Sequence, residues 1–380
     1  ITNVAKMEHY VDVSPKFEHS LSVYIEGIGT RDLEKDSTVG YAFGTQSTGV
    51  KKKVEKGITK TLVKITKAID GKEVVIDKLE IDVFGFSRGA AAARYYIYQA
   101  VVVKKLLHRL RAESYQIATA NLSVAFVGLY DTVASEGLSH ANDTRSLKLD
   151  AISHVAVKKV IHLVAADEHR ANFSLTNIKS AGSRGKEIFL PGVHSDIGGS
   201  YAPSSDEVEL EINHAYSHSA LEQDRAQLID EGWYYPNEIA ISSPPQYNLS
   251  PMSYHQGIPP PPAKNKLLVT RRHIRHDYDK IPLHIMAEFA KAAGMVFLSS
   301  IQEESIPSRL MPVYDSLLSY AQNNHSCLSH WFQRNNPDWL RWLRHDYCHY
   351  SAHYTLVGGL IAANKPNIKS SKRGRKIYAG

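Results

Sequence analysis

The sequence predicts an α/β fold: a mostly parallel sheet with helices on both faces, joined to a helical cap or accessory region. Three observations predict it. Short apolar runs alternate with stretches of helical period through residues 1–201, the pattern of a sheet whose strands are joined by crossover helices. Polar clusters fall just past the apolar runs, at the carboxyl ends of the predicted strands, where open α/β sheets place their sites. One run, residues 81–86 (IDVFGF), passes through Ser87 directly into the alanine-rich stretch 88–94 (RGAAAAR). A strand, a sharp turn and a helix therefore follow one another without a linker.

The elements read in order as follows. Residues 21–25 alternate apolar and polar and meet Glu26-Gly27-Ile28-Gly29-Thr30, a strand entering a glycine-rich loop. Val50, Val54, Ile58, Leu62, Ile65 and Ile69 recur at three- and four-residue steps, an amphipathic helix closed by Asp70-Gly71. The elbow strand and its helix extend to about residue 110. Residues 122–129 form another apolar run that ends in Tyr130-Asp131-Thr132. A helix is predicted over about 156–171. A short strand at 187–190 leads into Pro191-Gly192-Val193-His194-Ser195-Asp196-Ile197-Gly198-Gly199. Beyond Tyr201 the texture changes. Residues 242–263 hold Pro244, Pro245, Pro251 and Pro259 to Pro262, a loop or linker, and helical patterns resume over 281–298, 305–321 and the Trp-rich 330–343. Residues 1–201 are thus expected to form the core, and residues 202–380 a proline-rich linker and a helical cap or accessory region returning to it. No repeat of solenoid spacing is present.

Composition bounds the function. A chain of 380 residues, 43% hydrophobic and 22% charged, suits a globular protein with a sizeable core. Cys327 and Cys348 are the only cysteines, too few for a disulfide framework, which suggests folding in a reducing cytoplasm. The start, ITNVAKMEHYVDVSPK, has no basic region followed by an apolar core, so no signal peptide is expected, and an opening isoleucine suggests an incomplete start. No stretch approaches the ~20 apolar residues of a spanning helix. The net charge of +6 concentrates in Lys51-Lys52-Lys53, in residues 271–276 and in the tail 369–376. These runs read as solvated faces or as attraction to anionic lipid. Nucleic acid is not expected as a partner, because no nucleic-acid motif accompanies the charge.

Gly85-Phe86-Ser87-Arg88-Gly89 fits the G-x-S-x-G nucleophile elbow, in which the turn cramps the serine backbone and exposes its hydroxyl above the sheet. The neighbours two residues away must then be small. A serine nucleophile needs a base, and the base needs an orienting carboxylate. In α/β-hydrolases these follow in the order Ser, Asp or Glu, His. Asp131 and His194 each lie just past an apolar run in that order. Asp196 is the alternative acid. His349, in Asp346-Tyr347-Cys348-His349-Tyr350, is the alternative base. The oxyanion hole is expected from the backbone N–H of Arg88 and from Gly27 and Ile28 in the early loop, where the other reading is a plain glycine turn. No metal signature is present, and no cofactor is expected.

Taken together, Gly85-Phe86-Ser87-Arg88-Gly89-Ala90 with Arg94, Gly128-Leu129-Tyr130-Asp131-Thr132-Val133, Ala166-Asp167-Glu168, and Pro191 through Tyr201 occur in an order that resembles the α/β-hydrolase lipase effectors of bacterial type VI secretion, the phospholipase A group with the GFSRG elbow. A fainter likeness continues through residues 282–287 and 347–353. Relatives often have glycine where Ser200 stands. The resemblance implies an α/β-hydrolase core with Ser87, Asp131 and His194 as its triad, and a phospholipase, of A1 type in our reading, fired into rival bacteria. It implies production in the cytoplasm, export by the type VI machinery and attack on membrane glycerophospholipid from the periplasm. It also implies a secretion spike that carries the chain and an immunity protein that blocks it. A membrane substrate calls for an apolar face, for which Trp331, Phe332, Trp339, Leu340, Trp342 and Leu343 are candidates, with packing of the cap on the core as the other reading. A non-catalytic interaction protein on a hydrolase scaffold, or a thioesterase or peptidase, are the alternatives.

Overall fold

The computed structural model describes residues 1–27, 49–69, 74–136, 141–142, 145–201, 205–214, 217–243, 266–323, 337–354, 366, 368–369 and 372–380. Its centre is a four-stranded, wholly parallel sheet: β1 (Leu79–Phe86), β2 (Leu122–Tyr130), β3 (Val157–Ala165) and β4 (Gly185–Leu190), adjacent in chain order. The pairing sets Phe86 beside Tyr130, Tyr130 beside Leu163, and Ala165 beside Leu190. The carboxyl ends of all four strands therefore line up along one edge, and the segments that leave them meet there.

Each face of the sheet is covered, as β-strands with side chains of period two require when both sides are buried. On one face Val124, Val127, Leu129 and Val160 cluster with Ala93 and Ile97 of α3 (Arg88–Ile97) and with Leu106 and Leu110 of α4 (Lys105–Ala112). Near them stands α2 (Val50–Ala68), which matches the predicted amphipathic helix. On the other face Phe126, Tyr130, Ile161 and Leu163 join Met7 of α1 (Asn3–Tyr10), Leu283 and Met286 of α7 (Lys280–Ala292) and Leu317 of α8 (Met311–Asn323). Gly128 makes that contact possible: a Cβ there would lie 2.5 Å from the Phe84 ring and 3.0 Å from the Met286 sulfur. Residues from both ends of the chain thus share one apolar core.

Three expectations change. Residues 156–171 do not form a helix: Val157–Ala165 is β3, inside the sheet. A strand covered on both faces is apolar almost throughout, so its pattern does not separate it from a buried helix; the β-branched Val157, Val160, Ile161 and Val164 carry the strand signal. Residues 21–25 make no strand ladder and run as an irregular segment along the wall of a groove of about 610 Å3 that β1 also lines. Finally, residues 202–274 hold more than a linker. β5 (Ser205–His214), β6 (Ile239–Ser242) and β7 (Leu267–Ile274) form an antiparallel sheet with β7 in the middle, and α6 (His218–Asp230) lies between β5 and β6. Asp70, Gly71 and the prolines from 244 to 262 lie outside the described residues.

The basic runs are only partly solvated. Arg272, fully buried, donates to Glu207 at 2.7 Å and to the carbonyls of Trp233, Arg344, His345 and Cys348. It ties the second sheet to α9 (Trp339–Asp346) and the loop after it. Leu340 and Leu343 of α9 are buried in the core and Trp339 and Trp342 pack against it, which favours packing for this part of the Trp-rich stretch. Trp331 and Phe332 lie outside the described residues. Among the described residues no helix is long and apolar enough to cross a membrane.

The elbow glycines are not equivalent. A Cβ on Gly85 would meet the Gly89 carbonyl oxygen at 2.5 Å and the Ala90 Cα at 2.6 Å, both backbone atoms that cannot turn aside. A Cβ on Gly89 meets nothing within 4 Å among the described residues. The need for a small residue thus holds before the serine and is not seen after it. Overpacking costs about 1–3 kcal/mol, so Gly85→Ala should lower stability by about 2 kcal/mol or more in urea unfolding. Gly89→Ala should stay within about 0.5 kcal/mol of the parent.

Candidate active site

Ser87 sits between β1 and α3 with φ 59° and ψ −128°. A serine in that region is strained and is held there only by its surroundings. Its N–H donates to the Tyr130 carbonyl at 3.0 Å, and its carbonyl accepts from Ala90 at 3.0 Å and from Val133 at 3.3 Å. The main chain of the elbow is therefore stitched to residues 130–133, the segment that carries Asp131. Arg88 is the first residue of α3, at the helix end that bears the positive half of the macrodipole. Gly27 is exposed and lines the same groove as Gly85, Phe86 and Gly89; Ile28 lies outside the described residues.

Asp131 follows β2 with φ 42° and is fully buried. Its N–H donates to Leu163 at 2.7 Å. Its carboxylate accepts from His194 Nδ1 at 2.5 Å, from the Ala165 N–H at 3.0 Å, and from both terminal nitrogens of Arg375 at 2.6 and 2.8 Å. Burial opposes its ionisation, but Arg375 and His194 outweigh that and hold the carboxyl far below the ordinary range.

His194 opens the short helix α5 (His194–Gly198), which comes directly off the loop after β4. Its ring lies 4.5 Å from the Phe86 ring, next to the nucleophile position, and 4.9 Å from Phe173. Gly198 lets α5 approach that closely, since a Cβ there would fall 2.2 Å from the Phe86 ring. With Nδ1–H donated to Asp131, Nε2 is left as the basic nitrogen. Burial pulls the imidazole below its ordinary pKa, Asp131 pushes up, and Arg170 pulls down; the net direction is downward.

The four acid and base candidates sort into two pairs. Asp131 holds His194. Asp196 accepts from His349 Nδ1 at 2.7 Å and from the His349 N–H at 3.1 Å, as well as from the Val193 N–H at 2.9 Å. His349 also stacks on Tyr201, with centroids 3.4 Å apart. The contacts to Phe86 and to the segment bonded to the elbow belong to the first pair. The second pins the loop after α9 onto α5.

Residues without an assigned role in the sequence complete the cluster. Asp167 accepts from the Gly192 N–H at 2.8 Å and from Arg344 at 2.7 Å. Glu168 accepts from the His194 N–H at 3.2 Å, from Ser351 Oγ at 3.2 Å and from Arg170. Burial raises the Glu168 carboxyl, but Arg170 and then Arg375 and His194 draw it down to about 2. These two acids hold the backbone of the 191–194 loop. Their signal was the Ala166-Asp167-Glu168 block, one of the blocks that carry the resemblance. Arg375 had no such signal. Among the described residues no three His, Cys, Asp or Glu side chains come together as a metal site.

The chain is similar to known proteins in part of its sequence and in its fold. Residues 102–223 match the family model of the type VI secretion phospholipase effector Tle1-like catalytic domain; the matched span contains Asp131 and His194 and begins after Ser87. A solved Tle1 effector bound to the VgrG spike of the type VI secretion system has the same fold, with a TM-score of 0.60 and 23% identity over 87% of this chain and 73% of that one. An uncharacterized protein from Pseudomonas aeruginosa is 27% identical over 40% of this chain and 24% of its own, with a TM-score of 0.24, too low to bear on the fold. A search among curated proteins gives no significant match. Residues 102–223 are thus similar to the catalytic domain of the type VI secretion phospholipase effectors that the motifs resemble, and the fold is shared with a solved effector of that kind over most of the chain.

Proposed function

We propose that the chain is an antibacterial phospholipase A that hydrolyses acyl esters of membrane glycerophospholipids through Ser87, His194 and Asp131. The observation that carries this reading is the buried Asp131–His194 pair, 2.5 Å apart, set against the strained Ser87 elbow. In the proposed cycle His194 Nε2 takes the Ser87 proton as Oγ attacks the ester carbonyl. Asp131 keeps the imidazole in the required tautomer and stabilises the imidazolium. The oxyanion faces the first turn of α3, with the Arg88 N–H and the Gly27 loop as its donors. His194 then protonates the leaving alcohol, and water hydrolyses the acyl-enzyme by the reverse path.

Partners follow by analogy. The solved Tle1 effector was captured on a VgrG spike, and we propose the same class of carrier here, with delivery to the periplasm of a target cell and an immunity protein in the producer. Sent to the periplasm by an added signal peptide, the chain should lyse cells in a Ser87-dependent way, with lysophospholipid accumulating first. Confirmed folded protein without growth defect or lysophospholipid contradicts the antibacterial reading.

Defined phospholipid vesicles with mass analysis of the products test the chemistry and report which acyl position, sn-1 in our reading, is cut. Ser87→Ala should reduce hydrolysis by about 10⁴-fold or more while the protein stays folded. Asp131→Asn and His194→Ala should each remove most of the activity and add little to Ser87→Ala, since residues acting as a unit are non-additive. Loss of activity in His349→Ala with near-parental activity in His194→Ala would move the base to the second pair.

The pH dependence has a defined sign. The base works only when neutral, and it is protonated below its own pKa. Because the His194 pKa lies below its ordinary value, about 6.5 in peptides, the acid limb of kcat/KM should fall below pH 6.5. A limb centred above pH 7 contradicts the assignment.

A further inference from the structure

Residues 374–380 run beside the candidate site and send one side chain, that of Arg375, into it. Ile377 and Tyr378 pair in parallel with Leu175 and Thr176. The Leu175 N–H donates to the Lys376 carbonyl at 2.9 Å, and the Asn177 N–H to the Tyr378 carbonyl at 3.0 Å. This short ladder delivers Arg375. Its two terminal nitrogens take both oxygens of Asp131, and Nε donates to the Phe173 carbonyl at 2.6 Å. The guanidinium is 8% exposed and the carboxylate fully buried.

We propose that Arg375 is a positioning residue for the hydrolysis: it fixes the plane of the Asp131 carboxylate and offsets its charge, so that His194 rests neutral with Nδ1–H on Asp131. This rests on the triad reading above. The geometry is that of a bidentate guanidinium–carboxylate pair, which fixes orientation as well as charge. Once Arg375 holds both oxygens, one direction at Oδ2 remains for His194. A lone buried aspartate at this distance would draw a proton onto the imidazole and leave the base occupied at rest.

The other groups around His194 agree. Glu168 accepts the His194 N–H, but its charge is answered by Arg170 in a bond of 3.0 Å to Nε and one of 2.9 Å to a terminal nitrogen. Arg170 lies over the Phe173 ring, with 3.3 Å from its guanidinium carbon to the centroid, and Phe173 packs edge-on against His194. Asp196, two residues along α5, is turned to His349, and Phe86 adds an uncharged ring. Each carboxylate near His194 therefore has its own cation or histidine.

The test is the titration of His194, followed by its ring proton resonances in the folded Ser87→Ala protein with Arg375, Arg375→Lys, Arg375→Gln or Arg375→Met. Lipid hydrolysis against pH is measured in the same set with Ser87 restored. Arg375→Met and Arg375→Gln should raise the His194 pKa by about one unit and move the acid limb of kcat/KM upward by the same amount. kcat should fall about 10-fold and KM change less than about 2-fold. Arg375→Lys should leave the pKa within about 0.3 unit while still losing kcat, because the charge stays and the bidentate fork is lost. Arg375→Gln keeps a donor for Asp131 and serves where Arg375→Met does not fold. A His194 pKa that stays put in a folded charge-removing variant overturns the proposal, and so does an equal rise in Arg375→Lys. The titration needs no turnover. Failure of the hydrolase reading would therefore appear separately, as absent lipid cleavage with the pKa shift intact.

Discussion

Asp131 is a carboxylate with no exposure to solvent, and an unpaired charge in that position would be untenable. Its oxygens are met by His194 Nδ1, the Ala165 N–H and Arg375. Its main chain, at φ 42°, is bonded to β3, and Tyr130 before it and Val133 two residues after it bond to the two main-chain groups of Ser87. One buried anion thereby connects β2, β3, the elbow, α5 and residues 374–380. Removing one partner of such a pair costs about 3–5 kcal/mol, because the remaining charge is stranded. Correct folding of the site and correct charge at the site are the same requirement.

The rest of the molecule repeats that arrangement at lower stakes. Glu168 pairs with Arg170 and accepts from His194 and Ser351, linking the strand ends to the loop after α9. Glu207 pairs with Arg272, which gathers four carbonyls from the segments around α9. Asp196 pairs with His349. These buried acids lie where separate parts of the chain meet, and each is answered by a cation or histidine. Such pairs add little net stability, but they leave few alternative ways for the loops to dock. That suits a cluster in which the placement of an imidazole matters more than a kilocalorie of folding energy.

How much of this was legible follows from how local each signal was. The elbow could be read because strand, turn and helix are consecutive in 81–94, and Gly85 shows why: its Cβ would strike helix backbone. Asp131 and His194 were readable as polar residues just past apolar runs. β3 was misread because a strand buried on both faces loses its alternation. The antiparallel sheet of 205–274 went unseen because the prolines of residues 244–262 fall between β6 and β7 in the sequence and draw the reading toward a linker. Arg375 looked like part of a solvated basic tail, since a charge run carries no mark of which member turns inward. Only the pairing of Ile377 with Leu175, some two hundred residues apart in the chain, brings it to Asp131. The Ala166-Asp167-Glu168 block was visible as a motif, but its work, holding the backbone of the 191–194 loop, is a matter of tertiary hydrogen bonds.

The central claim is that Ser87 is a nucleophile activated by the Asp131–His194 pair. The measurement that tests it most directly is reaction with a fluorophosphonate probe, followed by mass mapping of the modified peptide. The account predicts a single adduct on the peptide containing Ser87, formed at the parental rate in folded His349→Ala and at least about 100-fold more slowly in folded His194→Ala. An adduct on another residue, or a parental labelling rate in His194→Ala, would contradict it.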